Sequence, residues 1–398
     1  MPPEDWLSAR IRDSRSPDGV MVRNPPPDLI LFGGGLPDPV THPTAEMRAM
    51  ISEIIAANEP AVFGYGVAAG DPRLRELIAT RLGGERAGLG SDNVVVTNGS
   101  SGAIGLTALG LLEPGDVVVV ESLTYNGATK AFMQMGASVV PAPMDEDGLD
   151  PDGLAAVLEQ VRAAGQQVKL IYTIASCHNP SGAVLSLERR MRLLALAEAH
   201  QALVVQDDTY GEIRFQDDFP PPMIALAPER VVHLGSFSKT IAPTLRVGWV
   251  AAGRDIAAAF ARARTDLGIS SVNQRFVARF IDEGFYEPHV RRATTLYRRK
   301  RDRLSAALEL HCRGLASWRT PEGGFFLWLA LARSDAAQLS AACREEKVAM
   351  LPGPYFTPDG AGFPNHIRLS YGQLAEGLLE EGAARLGRAM ARAADTAS

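Results

Sequence analysis

Short apolar segments alternate with helical patterns through most of the chain, and this alternation limits the possible folds more than any other feature. Each segment is a run of aliphatic or β-branched residues bounded by turn residues, which is typical of a strand buried on both faces. Strands separated by helices form mostly parallel sheets covered by helices on both sides. Strands are predicted near residues 94–96, 117–120, 138–140, 169–174, 203–206, 231–234 and 247–252.

Helical spacing of apolar residues fills most of the intervals between these strands and dominates the region after residue 252. Asp71 followed by Pro72 is a typical helix start, because the carboxylate caps the helix and proline fits its first turn. The long helices near the C-terminus are followed by two more short strands. Helices are predicted near 47–57, 72–82, 103–112, 127–135, 151–164, 187–200, 253–266 and 272–311, and the two further strands near 321–329 and 365–371.

The sequence therefore predicts an α/β fold in which a three-layer αβα large domain surrounds a mostly parallel sheet, with a smaller α+β domain at the C-terminus. The predicted boundaries are an N-terminal arm at residues 1–45 that joins the small domain, a large domain at 46–285 and a small domain at 286–398.

Composition excludes several classes of protein. With 40 Lys and Arg against 46 Asp and Glu, the net charge is −6, which argues against a dedicated nucleic-acid binder. No run approaches 18 apolar residues, and the first residues carry acids where a signal peptide needs bases. The three cysteines have no paired spacing and the seven histidines no metal-ligand pattern. We expect a cytoplasmic protein with no membrane contact and no bound metal.

Lys239 lies in a turn between two predicted strands, at residues 231–234 and 247–252, and is flanked by Ser236 and Ser238. Arg246 follows in the same stretch, and hydroxyls with a guanidinium are the donors that bind a phosphate. A lysine held near other cations or out of water loses its proton easily and becomes a nucleophile. This combination indicates an imine between the lysine and a phosphorylated aldehyde, pyridoxal phosphate. The alternative is an ordinary lysine in a surface turn.

Five polar residues, each at the end of a predicted strand, indicate one shared site. Ligands of parallel sheets bind at the carboxyl ends of the strands, which lie along the same edge. A carboxylate in that position needs a partner, and a protonated pyridine nitrogen is one that turns the ring into an electron sink. The five residues are Ser100, Tyr125, Asn179, Asp207 and Lys239.

Local structure offers a simpler explanation for several of these motifs. Asp207 could cap a turn, and the segment 179–182 could be only a turn. The small-residue segment 97–103 opens a helix after a strand and is a natural anion site, but by itself it is weak evidence. The glycines at 33–35 allow either a close backbone approach to a ligand or a flexible loop.

In combination these motifs resemble those of the class I/II aminotransferases among the fold type I pyridoxal-phosphate enzymes, most closely the aminoadipate and kynurenine aminotransferase branch. The resemblance extends from about residue 29 to 371. It implies an enzyme of amino acid metabolism that moves an amino group between an amino acid and a 2-oxo acid. Lys239 would form the Schiff base and shuttle the proton, Asp207 would pair with the ring nitrogen, and Tyr125 would stack on the ring.

The resemblance also implies roles for the remaining site residues. Tyr210 and Asn179 would bond to the ring oxygen, and Arg368 would bind the substrate α-carboxylate with Gly35 and Asn179 nearby. Tyr65 would reach the phosphate of the partner subunit, which implies a homodimer with shared active sites. The cofactor phosphate and the adjoining pocket would be lined by Ser100, Ser101, Gly102, Ser236, Ser238 and Arg246.

The sequence departs from the family at a few positions. Glutamines usually stand where this chain has Ser101 and Gly102, and Cys177-His178 is unexpected before Asn179. Two alternatives therefore stay open. One is a related lyase or synthase that eliminates, replaces or forms carbon–carbon bonds, possibly on S-adenosylmethionine. The other is the effector domain of a transcription regulator, for whose helix-turn-helix domain we expect no room in this chain.

Overall fold

Two separate sheets organise the computed structural model, which describes residues 6, 8, 26–266 and 268–396. The strands are β1 (Ile30–Leu31), β2 (Val94–Asn98), β3 (Val117–Glu121), β4 (Ser138–Ala142), β5 (Met144–Asp145), β6 (Gly148–Leu149), β7 (Val168–Thr173), β8 (Leu203–Asp207), β9 (Val231–Ser236), β10 (Val247–Ala251), β11 (Ala316–Trp318), β12 (Phe326–Leu331), β13 (Val348–Ala349), β14 (Leu351–Pro352) and β15 (His366–Ser370).

Most helices occupy the intervals that the sequence pattern predicts, but those at 60–63, 336–345 and 376–396 were not predicted. The helices are α1 (Thr44–Ala56), α2 (Pro60–Phe63), α3 (Pro72–Arg81), α4 (Gly99–Leu111), α5 (Asn126–Gln134), α6 (Pro151–Ala163), α7 (Leu187–Ala199), α8 (Arg254–Ala263), α9 (Ser271–Asp282), α10 (Tyr286–His311), α11 (Ala336–Glu345) and α12 (Glu376–Thr396). Within the described ranges, no helix is both long and apolar enough to cross a bilayer.

The larger sheet has the strand order β2-β10-β9-β8-β7-β3-β4. Strands β9, β8, β7, β3 and β4 pair in parallel, while β10 is antiparallel to both β2 and β9. The prediction of a mostly parallel sheet is therefore confirmed. Five strands run one or two residues past the predicted ends, so that polar residues such as Asp207 and Ser236 close them, whereas β7 and β10 end one residue earlier than predicted.

Helices cover both faces of this sheet, and the side chains of β3 demonstrate why the strand is apolar throughout. Val117 and Val119 belong to one hydrophobic cluster, whereas Val118 and Val120 belong to another on the opposite face. Successive side chains of a strand point to opposite faces, so a sheet buried on both sides needs an apolar residue at every position. Burying each valine contributes about 1.5–3 kcal/mol.

The helix starts follow the predicted capping chemistry, but one predicted helix is divided in two. Asp71 accepts a hydrogen bond from the amide of Leu74 at 3.0 Å, with Pro72 in the first turn. The continuous helix predicted at 272–311 is wrong, because α9 ends at Asp282 and α10 starts at Tyr286. Gly284 lies between them with a φ of +77°, a left-handed conformation that ends helices and favours glycine.

The smaller sheet has the antiparallel order β11-β12-β15-β14 and packs with α10, α11 and α12 around its own cluster. The strand predicted near 321–329 begins only at Phe326, because Gly324 has a φ of +71° that breaks the extended run. Strand β1 pairs in parallel with β13 and so lies beside this second unit. The three-domain division stays a prediction, and residues 1–5, 7 and 9–25 of its arm lie outside the described ranges.

Candidate active site

A cavity of about 190 Å³ lies at the carboxyl edge of the larger sheet, where the strands end and the loops after them begin. Nine of the residues proposed from the sequence line it, although they come from five separate strand ends. They are Ser100, Ser101, Tyr125, Asn179, Asp207, Tyr210, Ser238, Lys239 and Arg246. Leu36, Ile174, Thr209 and Pro243 complete the wall.

Lys239 follows β9 and points its amine into this cavity. Its Nζ donates a hydrogen bond to the carbonyl oxygen of Gly35 at 2.7 Å and lies 5.5 Å from the centre of the Tyr210 ring. Burial lowers the pKa of Lys239 to about 8, and the positive charges of Arg368 and Arg246 act in the same direction. About a tenth of this amine is therefore uncharged at pH 7, far more than of an ordinary lysine, and the uncharged form is the nucleophile.

Asp207 ends β8 and is buried, with three donors on its carboxylate. Tyr172 donates its hydroxyl to Oδ2 at 2.8 Å, and Thr209 donates its hydroxyl and its amide to Oδ1 at 2.7 and 3.2 Å. Burial raises the pKa of Asp207, while these hydrogen bonds lower it. The carboxylate is thus held rigidly at the cavity wall.

The contacts that Tyr172 and the Thr209 hydroxyl make with Asp207 were not predicted from the sequence. Tyr172 lies in the apolar strand β7 and resembles an ordinary core aromatic residue. The available signal is its hydroxyl, since a fully buried tyrosine usually needs a hydrogen-bond partner.

An anion-binding corner occupies one end of the cavity. Helix α4 begins at Gly99, so the free amides of its first turn and the hydroxyls of Ser100 and Ser101 face the same region. Ser236 and Ser238 are buried beside it and bond to each other through their hydroxyls at 2.9 Å. These groups and one guanidinium provide the donors that a phosphate needs.

That guanidinium belongs to Arg246, which the backbone presents in a left-handed conformation with a φ of +53°. Its Nε and Nη2 atoms donate to the side chain and the carbonyl of Asn98 at 3.2 and 2.9 Å. Gly99 is another residue to which the sequence assigned no role. A Cβ on Gly99 would lie 2.6 Å from Nη2 of Arg246, so only glycine allows this arginine to approach the helix start.

Arg368 lies on β15 of the smaller sheet and is only 4% exposed. It donates to Oδ1 of Asn179 at 2.7 Å and to the carbonyl of Gly33 at 2.5 Å, while its Nε has no partner. Among the residues that the structure describes, no carboxylate pairs with this cation. Burial lowers its pKa to about 10. A buried cation without a counter-charge is costly, which makes Arg368 a candidate receptor for an anion.

The other proposed residues have different surroundings. Gly35 packs so closely that a Cβ would lie 2.9 Å from the Tyr210 hydroxyl. Gly102 lies in the first turn of α4, beyond the cavity wall. Tyr125 is half-buried at the start of α5, and Tyr210 packs edge-on against Phe326. Tyr65 is 89% exposed in the loop after α2, so its predicted role in a partner subunit stays a prediction.

The polar groups around the cavity match pyridoxal phosphate in their charges and in their sequence along the cavity. The anion corner suits the phosphate, the amine of Lys239 suits the aldehyde, and the carboxylate of Asp207 suits a protonated ring nitrogen. Tyr125 offers an aromatic face, and Arg368 offers a separate site for a carboxylate.

Comparisons with known proteins agree with this chemistry. The sequence matches the family model described as aminotransferase class I and II over residues 28–386. It is 33% identical to a 2-aminoadipate transaminase of Thermus thermophilus, over 92% of this chain and 90% of that protein. It is also 30% identical to an uncharacterized HTH-type transcriptional regulator of Bacillus subtilis, over 96% of this chain and 78% of that protein. The fold matches the crystal structure of Pyrococcus horikoshii kynurenine aminotransferase in complex with PMP, with a TM-score of 0.91, 32% identity and 98% of both chains covered.

Proposed function

This chain belongs to the class I and II aminotransferases, and we propose that Lys239 is the residue that carries its cofactor. The enzyme depends on pyridoxal phosphate and transfers an amino group between an amino acid and a 2-oxo acid. None of the comparisons favours the lyase or synthase alternative. The roles of the individual residues below are our proposal.

One observation carries the assignment of the site. A lysine whose pKa is lowered to about 8 and a buried carboxylate line one cavity, and a buried arginine without a counter-charge contacts Asn179 in the wall of that cavity. Each is unfavourable for stability by itself, because burial penalises charged groups. Their concentration at the strand ends is accounted for by ligands that supply the missing partners.

When bound, pyridoxal phosphate supplies an electron-withdrawing ring that stabilises negative charge at the substrate α-carbon. The carboxylate of Asp207, fixed by Tyr172 and Thr209, would hold a proton at the ring nitrogen. The amine of Lys239 would accept the proton from the substrate α-carbon and return it in the transfer. The anion corner around Ser100 and Arg246 would hold the phosphate.

The substrate α-carboxylate binds Arg368 in this proposal. A planar guanidinium can hold a carboxylate through two parallel hydrogen bonds, and the unpaired Nε supplies one donor of such a pair. Asn179 orients the guanidinium from one side, and the rings of Phe326 and Phe356 lie 4.1 and 4.8 Å from it. These apolar faces exclude water and strengthen the ionic contact.

We also propose that the active form is a homodimer in which Tyr65 completes the partner's phosphate site. Supporting this, several large apolar side chains in the same part of the chain as Tyr65, and Val40 before it, are exposed: Val40 by 76%, Phe63 by 57%, Tyr65 by 89% and Val67 by 60%. Apolar clusters of this kind mark interfaces. A cytoplasmic location is part of the same proposal, because all three cysteines are buried and free.

The test is a single-turnover experiment with a panel of amino acids, in which the cofactor spectrum is followed. Transamination converts the cofactor to its amino form, and a 2-oxo acid then regenerates the aldehyde form. Consumption of amino acids that carry a leaving group, with the aldehyde form unchanged, would reject transamination in favour of elimination or replacement. A protein that binds the cofactor and turns over none of the panel would favour the regulator alternative.

A further inference from the structure

We infer that His178 is a positioning residue for substrate binding. Its hydrogen bond to buried Glu121 fixes the turn that contains Asn179, and Asn179 in turn holds Arg368. This inference rests on the proposed role of Arg368 as the α-carboxylate receptor. His178 does not line the cavity, and it is one of the two residues that stand out before Asn179 in the sequence.

Glu121 provides the fixed end of this connection. It is the last residue of β3 and is fully buried, yet no lysine or arginine pairs with it among the described residues. Instead its carboxylate accepts from the Thr173 hydroxyl at 2.6 Å and from the Ile174 amide at 2.9 Å, both at the end of the neighbouring strand β7. The ring of His178 supplies the third contact, with Nε2 at 3.1 Å.

The hydrogen bonds on the other side of the ring determine which nitrogen carries the proton. The backbone amide of Ser181, which can only donate, reaches Nδ1 of His178 at 3.2 Å. Nδ1 must therefore accept, and the proton lies on Nε2, from which it is donated to Glu121. The Ser181 hydroxyl lies 2.9 Å from the same Nδ1. His178 thus donates to Glu121 at the end of β3 and accepts from the turn at Ser181, and only the tautomer with the proton on Nε2 allows both bonds.

The turn that His178 fixes is the one that contacts Arg368. The amide of Gly182 donates to the His178 carbonyl at 2.7 Å, which closes the turn around Asn179. Asn179 then accepts a hydrogen bond from Nη1 of Arg368 at 2.7 Å, so a displacement of this turn also displaces the guanidinium. A displacement of about 1 Å at a binding group is enough to impair catalysis severely.

The base of the same loop is held independently. Arg190 is fully buried and donates to the carbonyls of Ala175 and Leu185 and to the Ser176 hydroxyl at 2.9–3.0 Å. Loss of the His178 ring should therefore release the tip of the loop without unfolding its base.

Two substitutions separate the bonds of the ring. His178→Asn keeps an acceptor near the position of Nδ1 but is too short to reach Glu121, whereas His178→Gln keeps a donor near the position of Nε2. The probe is an amino acid whose α-hydrogen is replaced by methyl, compared with the amine that lacks its carboxylate. Both are titrated into the holoenzyme and followed by the cofactor spectrum. The control is His200→Asn, since His200 pairs at the surface with Glu159.

We expect His178→Asn to weaken binding of the amino acid by about tenfold or more, the effect of losing a buried hydrogen bond. Binding of the amine and of the cofactor should stay within about twofold of the His200→Asn control. His178→Gln should recover part of the loss. If His178→Asn weakens the amine and the amino acid equally, or weakens neither, the positioning role is wrong.

A second variant keeps the proposal testable if His178→Asn does not fold. Glu121→Gln replaces one acceptor oxygen with an amide that opposes the donors around it, and should reproduce the selective loss of amino acid binding. An unchanged ratio of amino acid to amine affinity in Glu121→Gln would overturn the inference. Failure of the wild-type enzyme to bind the amino acid would instead reject the proposed function, so the two failures are distinct.

Discussion

The amine of Lys239 donates a hydrogen bond to the carbonyl oxygen of Gly35, which lies 204 positions earlier in the chain, at 2.7 Å. Lys239 follows the larger sheet, whereas Gly35 follows β1, which pairs with β13 beside the smaller sheet. The reactive nitrogen therefore lies between the two units of the fold. A cofactor that takes this nitrogen must replace the bond to Gly35.

The first prediction concerns cofactor attachment. Borohydride reduction of the yellow holoenzyme should fix pyridoxal phosphate covalently to Lys239, because its pKa of about 8 leaves an uncharged amine in the cavity. Peptide mapping by mass spectrometry locates the label. Lys347, which pairs with Asp28 at the surface, serves as the internal control and should stay unlabelled. A label on any other lysine would refute the site.

The second prediction distinguishes the role of the Asp207 carboxylate from that of the residues that hydrogen-bond to it. Asp207→Asn should retain the cofactor but lose turnover by about 100-fold or more, the effect of removing one preorganised charge from an active site. Tyr172→Phe removes one of three donors to the same carboxylate and should reduce kcat/KM by about tenfold. Asp208→Asn is the matched control, because its carboxylate faces His233. Near-normal turnover in Asp207→Asn would contradict the electron-sink role.

The third prediction tests carboxylate recognition. Arg368→Ala should lower kcat/KM for every amino acid, since losing one partner of a buried ionic pair costs about 2–5 kcal/mol, or about 30- to 5,000-fold. Arg368→Lys should recover little, because an ammonium cannot form two parallel bonds. Steady-state kinetics measure both, with exposed Arg319→Ala as control. Unchanged kinetics in Arg368→Ala would place the carboxylate elsewhere.

The fourth prediction tests shared sites between subunits. Lys239→Ala should be inactive and Tyr65→Ala impaired, each as a homodimer. When the two chains are coexpressed, one site of the mixed dimer carries both substitutions and the other carries neither, so activity should return. The mixed dimer is purified through two different affinity tags and assayed directly. An active monomer in light scattering, or no recovery in mixed dimers, would reject the shared site.

The fifth prediction concerns pH. The pKa of Lys239 is lowered, so its amine loses a proton as pH rises through about 8, where an ordinary lysine would need about 10.4. The rate at which cofactor-free enzyme captures pyridoxal phosphate should therefore rise with pH and level off above about 8. Arg368→Gln removes a positive neighbour and should move the midpoint upward. Stopped-flow absorbance gives both curves, and a midpoint near that of free lysine would contradict the burial.

The strand ends could be predicted from the sequence because topology alone brings them together. Ser100, Asn179, Asp207 and Lys239 follow different strands, and parallel strands place their carboxyl ends along one edge. In the larger sheet each predicted strand ends within two residues of its observed carboxyl end, since continuous apolar runs are compatible with few other structures.

The residues that could not be predicted from the sequence matter because of the side chains that they contact, and not because of their residue type. Tyr172 resembles a core aromatic until Asp207 is placed 2.8 Å from its hydroxyl. Gly99 resembles any turn glycine until Arg246 occupies the space where a Cβ would lie. The break at Gly284 was missed because periodicity continues on both sides of it. Each depends on three-dimensional contacts that a local pattern does not contain.

The antiparallel strand β10 also fixes the order in which the protein can assemble. Within the part of the chain that the structure describes, strand β2 pairs only with β10, although the two strands lie at Val94–Asn98 and Val247–Ala251. During synthesis, the start of α4 and its anion corner must wait for about 150 further residues before their strand gains a neighbour. Such distant pairings form slowly. A nascent chain should consequently acquire affinity for the cofactor in one late step, after residue 251 has left the ribosome.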